Sequence, residues 1–191
     1  MLSAIIATHE SERTLVPTLA ALVPGVTGGL LREVVVADAG SRDATAEVAE
    51  IAGCRFTSSN EPLGARLKAA AAATRTPWLM FLRAGCVPEP GWIEAAERFM
   101  QAAETLGVAG RAAVFRQMGE AQPMRPALPQ LLTLLRAMLG GPQPDQGLLI
   151  ARRFYDALGG HEGDAGAEAA LLRKLGRRRI ALLACGASAP R

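Results

Sequence analysis

The sequence predicts an α/β domain: a mostly parallel sheet with helices on both faces. Three observations carry that expectation. Short apolar segments alternate with amphipathic or alanine-rich ones along the chain, and such alternation implies parallel strands joined by right-handed crossovers. The clearest apolar segments, residues 2–7, 33–38 and 78–82, are brief, bounded by polar residues and apolar at consecutive positions, the pattern of strands buried on both faces. The 191 residues are 50% hydrophobic, enough for a single core of ordinary size.

Each element follows from its residues. Strand 2–7 precedes a helix placed at residues 15–23, because Pro17 is tolerated only in a first turn and Pro24-Gly25 reads as a stop. Strand 33–38 has β-branched residues at its centre. Ser41 is a fair N-cap for the next helix, which puts Ala44, Val48 and Ile51 on one face and ends at Gly53. A weaker strand at 54–58, an alanine-rich helix at 64–74, a strand at 78–82, a helix at 92–104 and a strand at 108–115 follow. Pro123, Pro126 and Pro129 mark residues 117–129 as a loop or lid. An apolar helix at 131–139, a strand at 147–150, helices near Phe154 and at 167–175, and a strand at 180–184 complete the chain. One domain is expected, with a nucleotide-binding half at about 1–116 and an acceptor-side half at about 117–191.

Composition removes several classes. Lys+Arg 21 against Asp+Glu 18 is a mild excess spread along the chain, and aromatic residues are only 4%, so a nucleic-acid partner is not expected. Cys54, Cys86 and Cys185 form no Cys-x-x-Cys pair, which argues against a disulfide framework or zinc site and fits a reducing compartment. No window suits a membrane span, and His9-Glu10 interrupts the first apolar run too soon for a signal peptide. The expectation is a cytoplasmic protein. Neither Gly-x-Ser-x-Gly, a phosphate-binding Gly-x-x-x-x-Gly-Lys-Ser/Thr loop, nor Gly-x-Gly-x-x-Gly after the first strand occurs, so common hydrolases, nucleotide triphosphatases and dehydrogenases are disfavoured.

In an open parallel sheet, ligands bind beyond the carboxyl ends of the strands. That rule selects Ala7-Thr8-His9-Glu10, Asp38-Ala39-Gly40-Ser41-Arg42-Asp43 and Arg83-Ala84-Gly85. Asp38 ends an apolar strand before a Gly-containing turn. There a carboxylate can accept hydrogen bonds from a base or ribose while the next helix offers its N-terminus to phosphate; equally, Asp38 and Ser41 can simply cap that helix.

These segments resemble the family 2 glycosyltransferases with the GT-A fold. Asp38-Ala39-Gly40-Ser41-Arg42-Asp43-Ala44-Thr45 is similar to the family's Asp-Gly-Gly-Ser-Thr-Asp-Ala-Thr, and Trp78-Leu79-Met80-Phe81-Leu82 matches the apolar strand before its metal motif. Asp145-Gln146-Gly147, Arg152-Arg153 and Leu158-Gly159-Gly160 are similar to a series in one bacterial branch. The resemblance implies a nucleotide-diphospho-sugar transferase fold, a nucleotide-sugar donor, and transfer with inversion to an acceptor whose class is left open, a lipid-linked one included. It implies that Thr8, Glu10, Asp38 and Ser41 line the nucleotide pocket and that Asp145 and Gln146 lie on the acceptor side.

The departures are specific. The family's Asp-x-Asp holds ribose and a divalent Mg²⁺ or Mn²⁺, and its positions here read Arg83, Ala84 and Gly85. An asparagine common in the preceding helix is Lys68. Either Arg83 and Lys68 neutralise the diphosphate without metal, or donor binding has been lost. The family's base, the Asp of a Glu-Asp pair, falls on Glu168, which the resemblance casts as the acid that deprotonates the acceptor; a solvated glutamate favoured by the helix dipole is the alternative. Arg177-Arg178-Arg179 and segment 131–139 offer contacts to acidic lipid headgroups at the inner face of a membrane, although a solvated surface and a core helix are commoner explanations. A non-catalytic binding or partner module that has lost its metal motif is the rival to the enzyme.

Overall fold

The computed structural model describes residues 1–105, 110–117, 146–163 and 166–188. Strand β1 (Leu2–Thr8) leads through helix α1 (Glu12–Thr27) to β2 (Leu31–Asp38), α2 (Thr45–Ile51), β3 (Arg55–Ser58), α3 (Leu63–Ala73) and β4 (Trp78–Arg83). A two-residue β5 (Val87–Pro88), α4 (Trp92–Thr105), β6 (Ala112–Gln117), β7 (Leu148–Ala151), α5 (Arg152–Ala157), α6 (Ala167–Leu175) and β8 (Ile180–Ser188) follow. The expected loop at 117–129 begins at the end of β6, and its remainder, the expected helix at 131–139, and Asp145 lie outside the described residues.

The eight strands form one sheet in the order β3-β2-β1-β4-β7-β6-β8-β5. Pairs β1/β2, β1/β4, β2/β3 and β6/β8 are parallel. Strand β7 runs antiparallel to both β4 and β6, and β5 antiparallel to β8. The sheet is thus parallel in its first half, where the βαβ units sit, and mixed in its second. All of β1 except Ala7 is buried, so helices and loops cover both of its faces. Packing of Leu2, Ile5, Ile6, Val35, Val36, Leu79 and Met80 forms the centre of the core.

Three local expectations are corrected. Helix α1 starts earlier and runs straight through Pro17 and Pro24. Each proline orphans the carbonyl four residues before it, and those carbonyls belong to Arg13 and Ala20, which are exposed, as are both prolines. Water can therefore satisfy them. Gly25, expected to stop the helix, instead lets it pack, since a Cβ there would lie 2.5 Å from the Trp92 ring. Ser41 does not cap α2: the N-cap is Ala44, and the Thr45 amide bonds to Asp43 Oδ1 at 3.1 Å. Ile51 does not share the packed face. It is 79% exposed while Thr45 and Ala49 are buried, because that seven-residue helix turns only its first and middle positions to the sheet.

Candidate active site

The carboxyl ends of β1 and β2 are adjacent, with Thr8 opposite Asp38 in register. Asp38 is fully buried, and its carboxylate takes four donors from the protein. Oδ1 accepts from Thr8 Oγ1 at 2.8 Å and Ser41 Oγ at 2.5 Å, and Oδ2 from the Ser41 amide at 2.7 Å and Ser58 Oγ at 3.1 Å. Burial by itself would push this carboxyl up, but the bonds from Ser41, Thr8 and Ser58 outweigh it and hold the group below the usual carboxylate range. Gly40 makes the turn with φ +77°, a backbone conformation that favours glycine, and a Cβ there would displace the Asn60 side chain, whose Oδ1 would lie 2.6 Å away.

The next layer stitches the two loops together. Ser41 Oγ accepts from the Glu10 amide at 2.8 Å, and Glu10 Oε1 accepts from the Arg42 amide at 2.8 Å. Glu10 adopts φ +49°, a non-glycine residue in left-handed backbone, and these two bonds are what hold it there. Helices α1 and α2 cap each other: Asp43 Oδ2 accepts from the Glu12 amide at 3.0 Å, and Glu12 Oε2 from the Ala44 amide at 3.1 Å. Thr8, Glu10, Asp38 and Ser41 are therefore brought together as expected from the sequence, in a network whose further members Ser58, Asp43 and Glu12 the sequence reading missed. Asp43 was visible in the quoted motif; Ser58 was not signalled, since it arrives from β3. Because four donors depend on one carboxylate, Asp38→Ala is expected to cost about 2 kcal/mol of unfolding stability in urea titration. An unchanged midpoint would contradict the network.

Arg83 ends β4 beside Ala7 of β1. The chain then turns sharply, with the Ala84 amide on the Ala7 carbonyl at 3.1 Å and the Gly85 amide on Thr18 Oγ1 at 2.9 Å. Across this turn stands Glu168, in the first turn of α6, where a carboxylate is favoured by the helix dipole. Arg83 Nε donates to Glu168 Oε2 at 2.9 Å and Oε1 at 3.1 Å, and Nη2 also donates to Oε2. The Arg83 side chain is 39% exposed and that of Glu168 11%, so the cation faces solvent and the acid sits behind it. The sequence assigned these residues separate tasks; the structure joins them as a bidentate ion pair.

Lys68 is exposed on α3, but its neighbour is Glu162. That carboxylate bonds Lys174 Nζ at 2.7 Å and is held below its usual range by Lys174 first and by the Lys68 charge to a lesser degree. Strand β7 places Leu148 opposite Phe81, so Gln146, two residues earlier, falls at the carboxyl end of β4 close to Arg83. A Cβ on Gly147 would lie 2.8 Å from Leu82 Cδ2, which fixes how closely this strand enters the site.

Beneath Arg83, Phe81 stacks on Tyr155 with ring centroids 5.0 Å apart and meets His161 edge-on at 4.6 Å. His161 Nδ1 lies 3.0 Å from Tyr155 Oη, which also accepts from the His161 amide at 3.1 Å. Burial pushes the imidazole down to about 4 and the phenol up to about 12. This cluster packs His161 and Tyr155 against β4.

The side chains at the end of β4 do not fit a divalent cation. Arg83 brings positive charge, Ala84 and Gly85 bring no side-chain donor, and among the described residues no group of three or more His, Cys, Asp or Glu is placed to hold a metal. A groove of about 500 Å³ lined by Trp78, Arg152 and Arg153 lies at the opposite, amino end of β4. Arg152 is consumed there by the carbonyls of Thr76 and Ala71 and by Thr74 Oγ1. The exposed turn Arg177–Arg179 leads into β8, whose Ile180 registers through β6 and β7 to Leu79 at the start of β4. It therefore sits at the end of the sheet away from Glu168. No helix among the described residues is long and apolar enough to cross a membrane.

A mostly parallel, curled sheet flanked by helices, with Thr8, Asp38 and Arg83 at the carboxyl ends of neighbouring strands and Glu168 on a helix across from them, has the GT-A fold of the nucleotide-diphospho-sugar transferases. The chain belongs to glycosyl transferase family 2, whose family profile matches residues 3–158. Among solved structures it is similar to glucosyl-3-phosphoglycerate synthase of Mycobacterium tuberculosis, with TM-score 0.70 and 22% identity over 100% of this chain and 72% of that one. The same synthase with Mn²⁺, UDP and glucosyl-3-phosphoglycerate gives TM-score 0.68 and 23% identity, covering 95% of this chain and 68% of that one. Its complex with Mn²⁺, UDP-glucose and phosphoglyceric acid gives the same four values. No curated protein matches the sequence.

Proposed function

We propose that this protein is a glycosyltransferase that takes a nucleotide-diphosphate sugar at the carboxyl ends of β1, β2 and β4 and passes the sugar, with inversion, to an acceptor hydroxyl. The observation that carries the reading is the pairing of Arg83 with Glu168, a cation and a carboxylate at the one end of the sheet where the nucleotide-side residues Thr8, Glu10, Asp38 and Ser41 also gather. Asp38 organises the loop against which base and ribose rest. Arg83 neutralises the diphosphate, since its planar fork of donors suits phosphate oxygens. Lys68, nearer Glu162, adds positive potential at the rim. In the transfer itself, the acceptor O–H gives its proton to Glu168 and its oxygen bonds to the anomeric carbon. The bond from that carbon to the diphosphate oxygen breaks, and its electron pair leaves with the nucleoside diphosphate. Gln146 sits where the acceptor would approach; Asp145, given the same side by the sequence, precedes the described segment.

Family membership and the similarity to a synthase crystallised with UDP-glucose support donor use of this class. The test is release of nucleoside diphosphate from a panel of UDP-, GDP- and ADP-sugars in the presence of crude acceptor extracts. Release that depends on both sugar nucleotide and extract is expected; none with any donor would contradict the reading. The second reading, a non-catalytic binding module, is favoured by one observation: both Glu168 oxygens already take guanidinium bonds. Nucleotide binding without turnover would select it.

A further inference from the structure

We propose that Arg83 gates Glu168: in the ligand-free protein the guanidinium holds the carboxylate, and the donor's diphosphate takes the guanidinium and releases Glu168 for the acceptor hydroxyl. The inference rests on the function proposed above and concerns how its base is held before the donor arrives.

The geometry supplies the lock. Glu168 Oε2 takes two N–H bonds and Oε1 a third, all from Arg83. Oε1 keeps one acceptor site, so the lock lies in the guanidinium standing on the solvent side of the carboxylate, between it and an arriving hydroxyl. The two residues stand 85 positions apart, one ending β4 and the other opening α6. The pair is thus a clasp between two elements, made of two side chains.

The same geometry decides which partner an arriving anion meets. With 39% of its side chain exposed against 11% for Glu168, Arg83 is the group a dissolved diphosphate reaches first. A diphosphate offers more negative charge and more acceptor oxygens than one carboxylate, and a guanidinium binds it in the same bidentate manner. Glu168 is not stranded when the clasp opens, because it stands in the first turn of α6, at the positive end of the helix dipole. A base masked until the donor is seated also avoids drawing an acceptor into an empty site.

The clasp has a cost that a substitution can remove. If Arg83 is closed on Glu168 most of the time, anion affinity is reduced by the small open fraction, and removing the Glu168 carboxylate should raise it by about 10- to 100-fold. The measurement is calorimetric titration of the full chain with inorganic pyrophosphate and, separately, with UDP. Glu168→Gln and Glu168→Ala should both bind each probe more tightly than wild type while losing transfer, and Arg83→Met should bind each more weakly. Circular dichroism and urea midpoints establish that each variant is folded, and two substitutions at position 168 guard against the failure of one. Affinity unchanged or weakened in both folded Glu168 variants overturns the gate and leaves nucleotide binding standing. Failure of wild type and all variants to bind either probe overturns the nucleotide-sugar reading and the gate together.

Discussion

Glu168→Gln is expected to lower sugar transfer by roughly 10²- to 10⁴-fold without weakening the donor, the range for losing a positioned general base. Glutamine keeps the length and shape of the side chain, so the fold around the first turn of α6 should survive. What disappears is the group able to take the acceptor's proton. Because Glu168 lies behind Arg83, with its side chain 11% exposed, bulk buffer is a poor substitute for it. The readout is donor consumption by wild type and variant in the same acceptor extract. Equal rates would remove Glu168 from the mechanism. A wild type that binds nucleotide but transfers nothing in any extract would establish the non-catalytic module instead.

The second large effect concerns acid stability. His161 is 2% exposed, and burial holds its imidazole near 4, against an ordinary value of 6.5. A depressed histidine means that the unfolded chain takes up the proton first. Stability from this group is therefore complete above about pH 6.5 and is lost as the pH falls toward 4, by roughly 3 kcal/mol on reaching that pH. Asp38, whose folded value is lowered from 3.8, contributes with the usual carboxylate sign: its share is present above the unfolded value and disappears only below that range. The two windows scarcely overlap. His161→Phe keeps an aromatic ring against Phe81 and removes the titration, so urea unfolding of this variant should be nearly flat between pH 7.5 and 4.5, where wild type declines steeply. Parallel declines in the two proteins would contradict the assignment.

Much of this architecture was legible because the central strands are unbroken apolar runs. Strands β1, β2 and β4 announced themselves by Ile5-Ile6, Val34-Val35-Val36 and Met80-Phe81-Leu82, and the order of strand and helix supplied their parallel pairing. The direction of β7 was not legible. Leu148–Ala151 is buried at every position, and an apolar tetrapeptide reads the same whether its neighbours run with it or against it. Strand β5 is two residues long and exists only because β8 pairs with it. The prolines of α1 misled for a physical reason: their cost depends on whether the orphaned carbonyls reach water, which a sequence does not state.

At the site, the β1 and β2 loops were found from a topological rule and a motif, because their partners lie on neighbouring strands. The Arg83–Glu168 clasp was within reach of the same reasoning and was missed. Both residues were assigned to one pocket with opposite charges, which is itself a signal that they meet. Helix α6 itself was legible, since its expected bounds 167–175 are those observed, but its docking against the end of β4 depends on tertiary packing that a sequence pattern does not state. Lys68 was assigned to the diphosphate from its charge and its match to an asparagine common in the family's preceding helix; what the sequence did not state is that packing of the α3 N-terminus on Gly163 sets it beside Glu162.

The central claim is that Arg83 holds the place a divalent cation would take in donor binding. Calorimetric titration of the wild-type protein with UDP, first in EDTA and then in Mn²⁺ or Mg²⁺, tests it most directly. The account predicts the same affinity in both conditions and a loss of binding on Arg83→Met. More than tenfold weaker binding in EDTA would contradict it.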